Sequence, residues 1–177
     1  MMVSDTALDL RSPEEVLAFW LEEIGPEGWY KGGEALDTEV RDFGLATWTA
    51  AKAGRLDRWL SEPRSSLAFV IVTDQFPRNM FRDAGEAFST DALARKAAKS
   101  AIDRDWDLRV EEPGRVMFYM PLTHSENLCD QERGVRLMQT RLSGEAGATY
   151  LLHARAHREV IRRYGRFPTR NEALGRR

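Results

Sequence analysis

Apolar positions along this chain recur at the three- and four-residue spacing of helices, not at the alternation of strands. Val16, Leu17, Trp20, Leu21 and Ile24 fall on one face of a first helix. Ser12-Pro13-Glu14-Glu15 opens it as a capping box with proline at the first helical position, and Gly25-Pro26 closes it. Asp37 is the expected cap of a second helix that turns Val40, Phe43, Thr47 and Ala50 inward and ends near Gly54. Residues 55–60 predict a short helical turn before Pro63, and Ser65 the start of the next element. Its run Leu67-Ala68-Phe69-Val70-Ile71-Val72 is rich in β-branched residues. No second strand-like run exists to pair with it, so it reads as a buried helix.

Ser89 or Thr90 caps a predicted helix to about Arg104, with Leu93, Ala97, Ala101 and Ile102 inward. Pro113 opens a short apolar helix over residues 116–120, halted by Pro121. Thr123-His124-Ser125-Glu126 reads as a second capping box, ahead of a helix with Leu128, Val135, Met138 and Leu142 that breaks at Gly144. The last long helix is predicted over residues 145–164 and stops at Gly165. Thr169-Arg170-Asn171-Glu172 is a third capping box, predicting one more helix start. The expectation is an all-α fold of about eight helices with short connections and no sheet.

Composition fits that picture. The 177 residues suit one domain, 1–177, and no linker or low-complexity stretch divides them. With 42% hydrophobic and 31% charged residues, the chain is globular in composition and not disordered. A net charge of -2 argues against nucleic acid as the partner of the whole molecule. From His153 onward, however, eight arginines are opposed only by Glu159 and Glu172, which is either a solvated basic face or an anion site. Cys129 is the one cysteine, so no internal disulfide forms and a reducing compartment is expected. Met1-Met2-Val3-Ser4-Asp5 has no basic or apolar leader pattern, and the longest apolar run is far short of the roughly 20 residues of a membrane span. The expected location is cytoplasmic, with no membrane contact.

Two near-identical corners stand out, Gln75-Phe76-Pro77-Arg78-Asn79 and Arg166-Phe167-Pro168-Thr169-Arg170-Asn171. Proline disfavours helix at the residue before it, so Phe76 and Phe167 are expected to be extended, each burying a ring. Arg78 and Arg170 then project from helix starts, followed by Asn79 and Asn171. Free backbone N–H groups, a partial positive charge and an arginine together make an anion cradle. The alternative is a pair of structural turns whose arginines bond neighbouring carbonyls. Asp74, directly after the apolar run, needs a partner if buried, and Arg78 is the natural one.

His124 and Glu126, two residues apart, suit acid–base work, although Glu126 also fits the capping box. His153 and His157 share a helix face at i, i+4 spacing. Between them stands Ala154-Arg155-Ala156, without the glutamate of the zinc-protease pattern, and Arg155 and Arg158 crowd the pair. No metal site is expected there; an anion or acid–base role for His157 is. No Walker A loop, strand-linked Gly-x-Gly-x-x-Gly or Gly-x-Ser-x-Gly elbow occurs, and Cys129 reads as a bystander in a polar helix.

These motifs, Asp74-Gln75-Phe76-Pro77-Arg78-Asn79, His124-Ser125-Glu126, His157-Arg158 with Ile161, and Gly165-Arg166-Phe167-Pro168 with Arg170-Asn171, resemble a bacterial family known as domain of unknown function nine hundred and twenty-four. The likeness spans about residues 16–176. It implies a tetratricopeptide-like superhelical stack of antiparallel helices and no established activity. Thr169 departs from the family's frequent histidine, which leaves any site dependent on that imidazole incomplete.

The reading that follows is a binding pocket, or a catalytic one needing no cofactor, for a small anionic molecule bearing phosphate or carboxylate. Arg78, Arg166 and Arg170 are its expected clamps, Asn79 and Asn171 its orienting groups, and His124 and His157 its proton-transfer groups. Asp74 or Glu126 is expected to fix a histidine tautomer. The rival reading is a module that holds a protein or peptide in a concave groove, with Trp20, Trp29, Trp59 and Tyr30 as anchors.

Overall fold

In the computed structural model, residues 9–177 are described; the leader reading of Met1-Met2-Val3-Ser4-Asp5 falls outside them. Helix α1 (Pro13–Leu17) widens into a π-helical stretch, Ala18–Ile24, and α2 (Gly25–Gly28) follows. Gly25 makes that break by taking a φ of 65°, where a side chain is strained. Helix α3 (Glu34–Lys52) and a 3₁₀ turn, Asp57–Ser61, lead to α4 (Pro63–Val70). A second π-helical stretch, Ile71–Gln75, joins α4 to α5 (Phe76–Met80). Then come a 3₁₀ turn (Gly85–Phe88), α6 (Asp91–Asp103), two further 3₁₀ turns (Asp107–Arg109 and Gly114–Phe118) and α7 (Met120–Thr123). The long helices α8 (Leu128–Arg141) and α9 (Gly144–Tyr164) pack on one another, and a 3₁₀ turn, Pro168–Arg170, begins the last segment. The chain is all-helical, with no strand among the described residues.

The first capping box forms as expected: Ser12 Oγ accepts from Glu15 N–H at 3.2 Å, and Glu15 answers with Oε2 to the Ser12 N–H at 2.7 Å. The other two do not form. Asn127, not Thr123, caps α8, accepting from the N–H groups of Cys129 and Asp130. Its short amide at the residue before the helix outcompetes a threonine stranded in the preceding one. Thr169 lies within the 3₁₀ turn and caps no helix. Asp37 sits in the first turn of α3 instead of capping it, because Gly33 turns the chain first. Pro121 lies in the first turn of α7 and starts that helix where a stop was expected.

The apolar run 67–72 is a fully buried helix, and α4 packs against α1, α6 and the turn 57–61. The first Phe-Pro corner is not a corner. Phe76 is helical, at φ -56° and ψ -46°, and the helix runs straight through Pro77. The π-helical stretch before it is the physical reason. Proline supplies no N–H to the carbonyl four residues back and its ring crowds that oxygen. The wider π turn absorbs the misfit, with Phe76 N–H reaching back five residues to Ile71 O. The carbonyl left over is that of Thr73, and Thr90 Oγ1 donates to it at 2.6 Å. Thr90 Oγ1 in turn accepts from Trp48 Nε1 at 3.0 Å. One released carbonyl thus ties α4, α3 and the start of α6 together. Below it Phe76 packs edge-on against Phe19, Trp20 and Phe43. The second corner does match expectation: Phe167 is extended at φ -90° and ψ 104°, and its ring is buried.

Two substitutions test this frame. Thr90→Val strands the Thr73 carbonyl and the Trp48 N–H in a buried position, and is expected to cost about 2–4 kcal/mol in chemical denaturation. Gly44→Ala places a methyl group against the Phe76 ring, which occupies that space. The roughly 1 kcal/mol gained in helix propensity is outweighed by overpacking, so a net loss of about 1–2 kcal/mol is expected; an unchanged Tm would refute this reading of the α3–α5 contact.

Candidate functional site

Asp74 is completely buried. It stands in the π-helical stretch after the apolar run, where a carboxylate without partners would cost several kcal/mol. His124, at the end of α7, points Nδ1 at both its oxygens, at 2.9 and 3.0 Å. Gln75 Nε2 donates to Oδ2 at 2.7 Å, and Arg78 Nη1 reaches the backbone carbonyl of Asp74 at 2.5 Å. Burial pushes this carboxyl up, but the charges of His124 and Arg78 beside it pull it well below its ordinary range. It is therefore an anion, and the His124 Nδ1 that faces it carries the proton.

Arg78 behaves differently from the expectation. Its fork is closed by Asp91, Nη1 to Oδ1 at 2.9 Å and Nη2 to Oδ2 at 3.0 Å. Arg170 approaches the same carboxylate at 3.7 Å and donates from Nη2 to the His124 carbonyl at 3.0 Å. Both guanidinium groups lie over the Phe88 ring, at 5.7 and 4.6 Å. The anion these two arginines face is Asp91, a partner that their expected role as clamps did not include. Arg166, the third expected clamp, donates to the backbone carbonyl of Arg177 and lines neither cavity described below. Glu126 fixes no histidine. Its oxygens take the Phe167 N–H at 2.8 Å and both Nη groups of Arg176 at 2.7 and 2.8 Å, which hold its carboxyl down at about 2. Asn79 donates to Asp37 at 2.9 Å, and Asn171 lines neither cavity described below.

His157, on α9, comes to this centre from the other side. Its ring centroid lies 6.2 Å from that of His124 and 5.3 Å from that of Phe167. Its Nδ1 is 3.0 Å from the Thr123 carbonyl, which can only accept, so Nδ1 carries the hydrogen and Nε2 a lone pair. Burial, then the charges of His124 and Arg170, lower its pKa to about 4.

Two cavities meet at this centre, sharing Tyr30, Met120 and His124 in their walls. The first, of about 280 Å³, is bounded also by Trp29, Gln75, Arg78, Asn79, Arg82 and Met117. Its lining includes two arginines and a histidine, and no carboxylate. The second, of about 200 Å³, is bounded also by Met138, Tyr150, His153 and His157, which brings all three histidines of the chain to one space. Among the described residues, no three histidine, cysteine or acidic side chains are grouped closely enough to hold a metal ion. Tyr30 stacks on His153 at 5.7 Å, while Trp29 folds back and donates Nε1 to the Trp20 carbonyl at 2.8 Å.

A family model of bacterial proteins of unknown function (DUF924) matches residues 16–177. The chain belongs to this family. It is similar to the solved structure of a protein of unknown function, ATU0120, from Agrobacterium tumefaciens, at 40% identity and a TM-score of 0.86, over 93% of this chain and 90% of that one. No curated protein matches it. The family match covers every element that carries the centre, from α3 to the turn at Pro168–Arg170.

Asp91 escaped the sequence reading. An aspartate in the first turn of a helix is ordinary helix chemistry, and nothing local says that a fork thirteen residues earlier closes on it. Arg82, bound to Asp37 beside the first cavity, carries no motif either.

The electrostatics give a stability signature. His157 is neutral in the fold down to about 4, while the unfolded ring takes its proton near 6.5. Between those values the unfolded chain binds more protons, so stability falls as pH is lowered through that window. Asp74 and Glu126, both depressed, add the same sign below about 4. Denaturation at pH 7, 5.5 and 4 is expected to lose on the order of 2–3 kcal/mol from His157, and a His157→Gln variant to lose less by that amount. An identical slope in the variant would show that the ring is not buried as a neutral group.

Proposed function

We propose that this is a one-domain protein whose paired cavities bind a small anionic molecule and, without a cofactor, exchange a proton with it at His124. The observation that carries this reading is the Asp74–His124 pair: a fully buried carboxylate bonded to Nδ1, with the ring bordering both cavities. Such a pair holds the ring by Nδ1 and leaves Nε2 to exchange a proton with a ligand. The preference for an anion rests on the first cavity. It has Arg82 and His124 in its wall, no acid, and an apolar side made by Trp29, Met117 and Met120, while Arg78 borders it with its fork turned to Asp91. Arg82 is half-exposed and spends only Nε and Nη2 on Asp37, so Nη1 is available to a carboxylate or phosphate.

The peptide-groove reading finds less support. Trp20 is buried in the core, and Trp29 and Trp59 pack against it, which leaves Tyr30 as the exposed ring of the four expected anchors. The arginine-rich end does not form one basic face: Arg158 and Arg162 pair with Glu132, and Arg176 with Glu126. No described helix is long and apolar enough to cross a membrane.

A thermal-shift screen against phosphorylated and carboxylated metabolites tests the proposal. At least one is expected to raise the Tm of the wild type, and Arg82→Ala and His124→Gln are each expected to weaken that ligand about tenfold, or about 1.4 kcal/mol. If none stabilises the wild type more than these two variants, the proposal is wrong.

A further inference from the structure

His157, half-buried at the centre, holds nothing together beyond its own Nδ1–H bond. From α9 comes His153, from the end of α7 His124 and the Thr123 carbonyl, and from the last 3₁₀ turn Arg170. No carboxylate is among them. His124 differs in one respect: the acceptor on its Nδ1 is a buried carboxylate and not a neutral carbonyl. Two imidazoles thus border one cavity, each anchored at Nδ1, with ring centroids 6.2 Å apart. Both rings line the second cavity, of about 200 Å³, so a small molecule bound there meets both.

We propose that His157 and His124 work as a base–acid pair across the second cavity, with His157 Nε2 taking a proton from the substrate while His124 Nε2–H supplies one. This rests on the proposed function and narrows it to a proton shift within a small anionic molecule. The step balances without a co-reactant. One N–H bond forms at His157 and one breaks at His124, the two rings exchange a single positive charge, and the substrate's proton count is unchanged. Carboxylate–histidine pairing on one side and neutral burial on the other is how two like groups take opposite roles. The lining favours this over covalent catalysis. Neither cavity wall contains a serine, cysteine, lysine or carboxylate, and the hydroxyl of Thr123 is spent on the Met120 carbonyl.

The full chain, labelled with nitrogen-15, tests the pair by long-range proton–nitrogen NMR of the three imidazoles, alongside acylation by diethylpyrocarbonate mapped by mass spectrometry. His157 is expected in the Nδ1–H tautomer from pH 5 to 8, with acylation at Nε2 that changes less than about twofold between pH 7 and 5. An ordinary imidazole loses about twenty-fivefold over that range. A merely structural His157, closed off at Nε2, would not react, and either that result or an Nε2–H tautomer overturns the pair. His124 is read in the same spectra through a strongly deshielded Nδ1 proton on Asp74. Loss of that signal with His157 as expected defeats the proposed function; its presence with an unreactive His157 defeats only the pair.

Discussion

The carboxylate of Asp74 governs how this end of the molecule is put together. It closes the most apolar helix of the chain, has no access to water, and is ionised. A charge in that position persists only where groups from elsewhere reach it. His124 reaches it from α7, fifty residues on, and Gln75 and Arg78 from its own helix. The π-helical stretch around it has a second effect. By letting the helix pass through Pro77, it keeps Arg78 one turn from Asp74 and aims its fork at Asp91 on α6. A helix that stopped at the proline would have set that arginine elsewhere.

Charge is locally balanced, and that decides which groups are left for a ligand. Asp74 and Asp91 face Arg78 and Arg170, and Glu126 faces Arg176. These ions are occupied with one another. What remains toward the cavities is the outer edge of His124, the lone pair of His157 and part of Arg82. A buried ionic knot of this kind is weak evidence for stability, since desolvation offsets much of the attraction. Its clearer effect is positional. It fixes the backbone of His124, through Arg170 on the carbonyl, and its ring, through Asp74 on Nδ1.

The last segment completes the arrangement. Phe167 is extended because proline follows it, its N–H is taken by Glu126, and its ring packs on His157. Arg176 returns to Glu126 and to the Phe167 carbonyl. The residues after α9 thus bear on both histidines, Phe167 on the His157 ring and Arg170 on the His124 carbonyl.

By itself the sequence determined the helices, the buried apolar run, the first capping box, the Gly165 stop and the extended Phe167. All of these are short-range effects, set by periodicity and by the backbone of glycine and proline. It also singled out Asp74, Arg78, His124, His157 and Arg170, because polar residues beside apolar runs need an explanation. What tertiary structure alone decided is who meets whom. Phe76 was misread as extended because proline's local preference yields to a π-helical widening that only packing rewards. Glu126 was read beside His124 because it is close in sequence, yet its partners lie forty-one and fifty residues away. Asp91 gave no signal, since the fork it closes is far along the chain. Identical Phe-Pro words therefore became a continuous helix in one place and a true turn in the other, because the first follows a π-helical widening inside the core and the second follows a left-handed glycine stop.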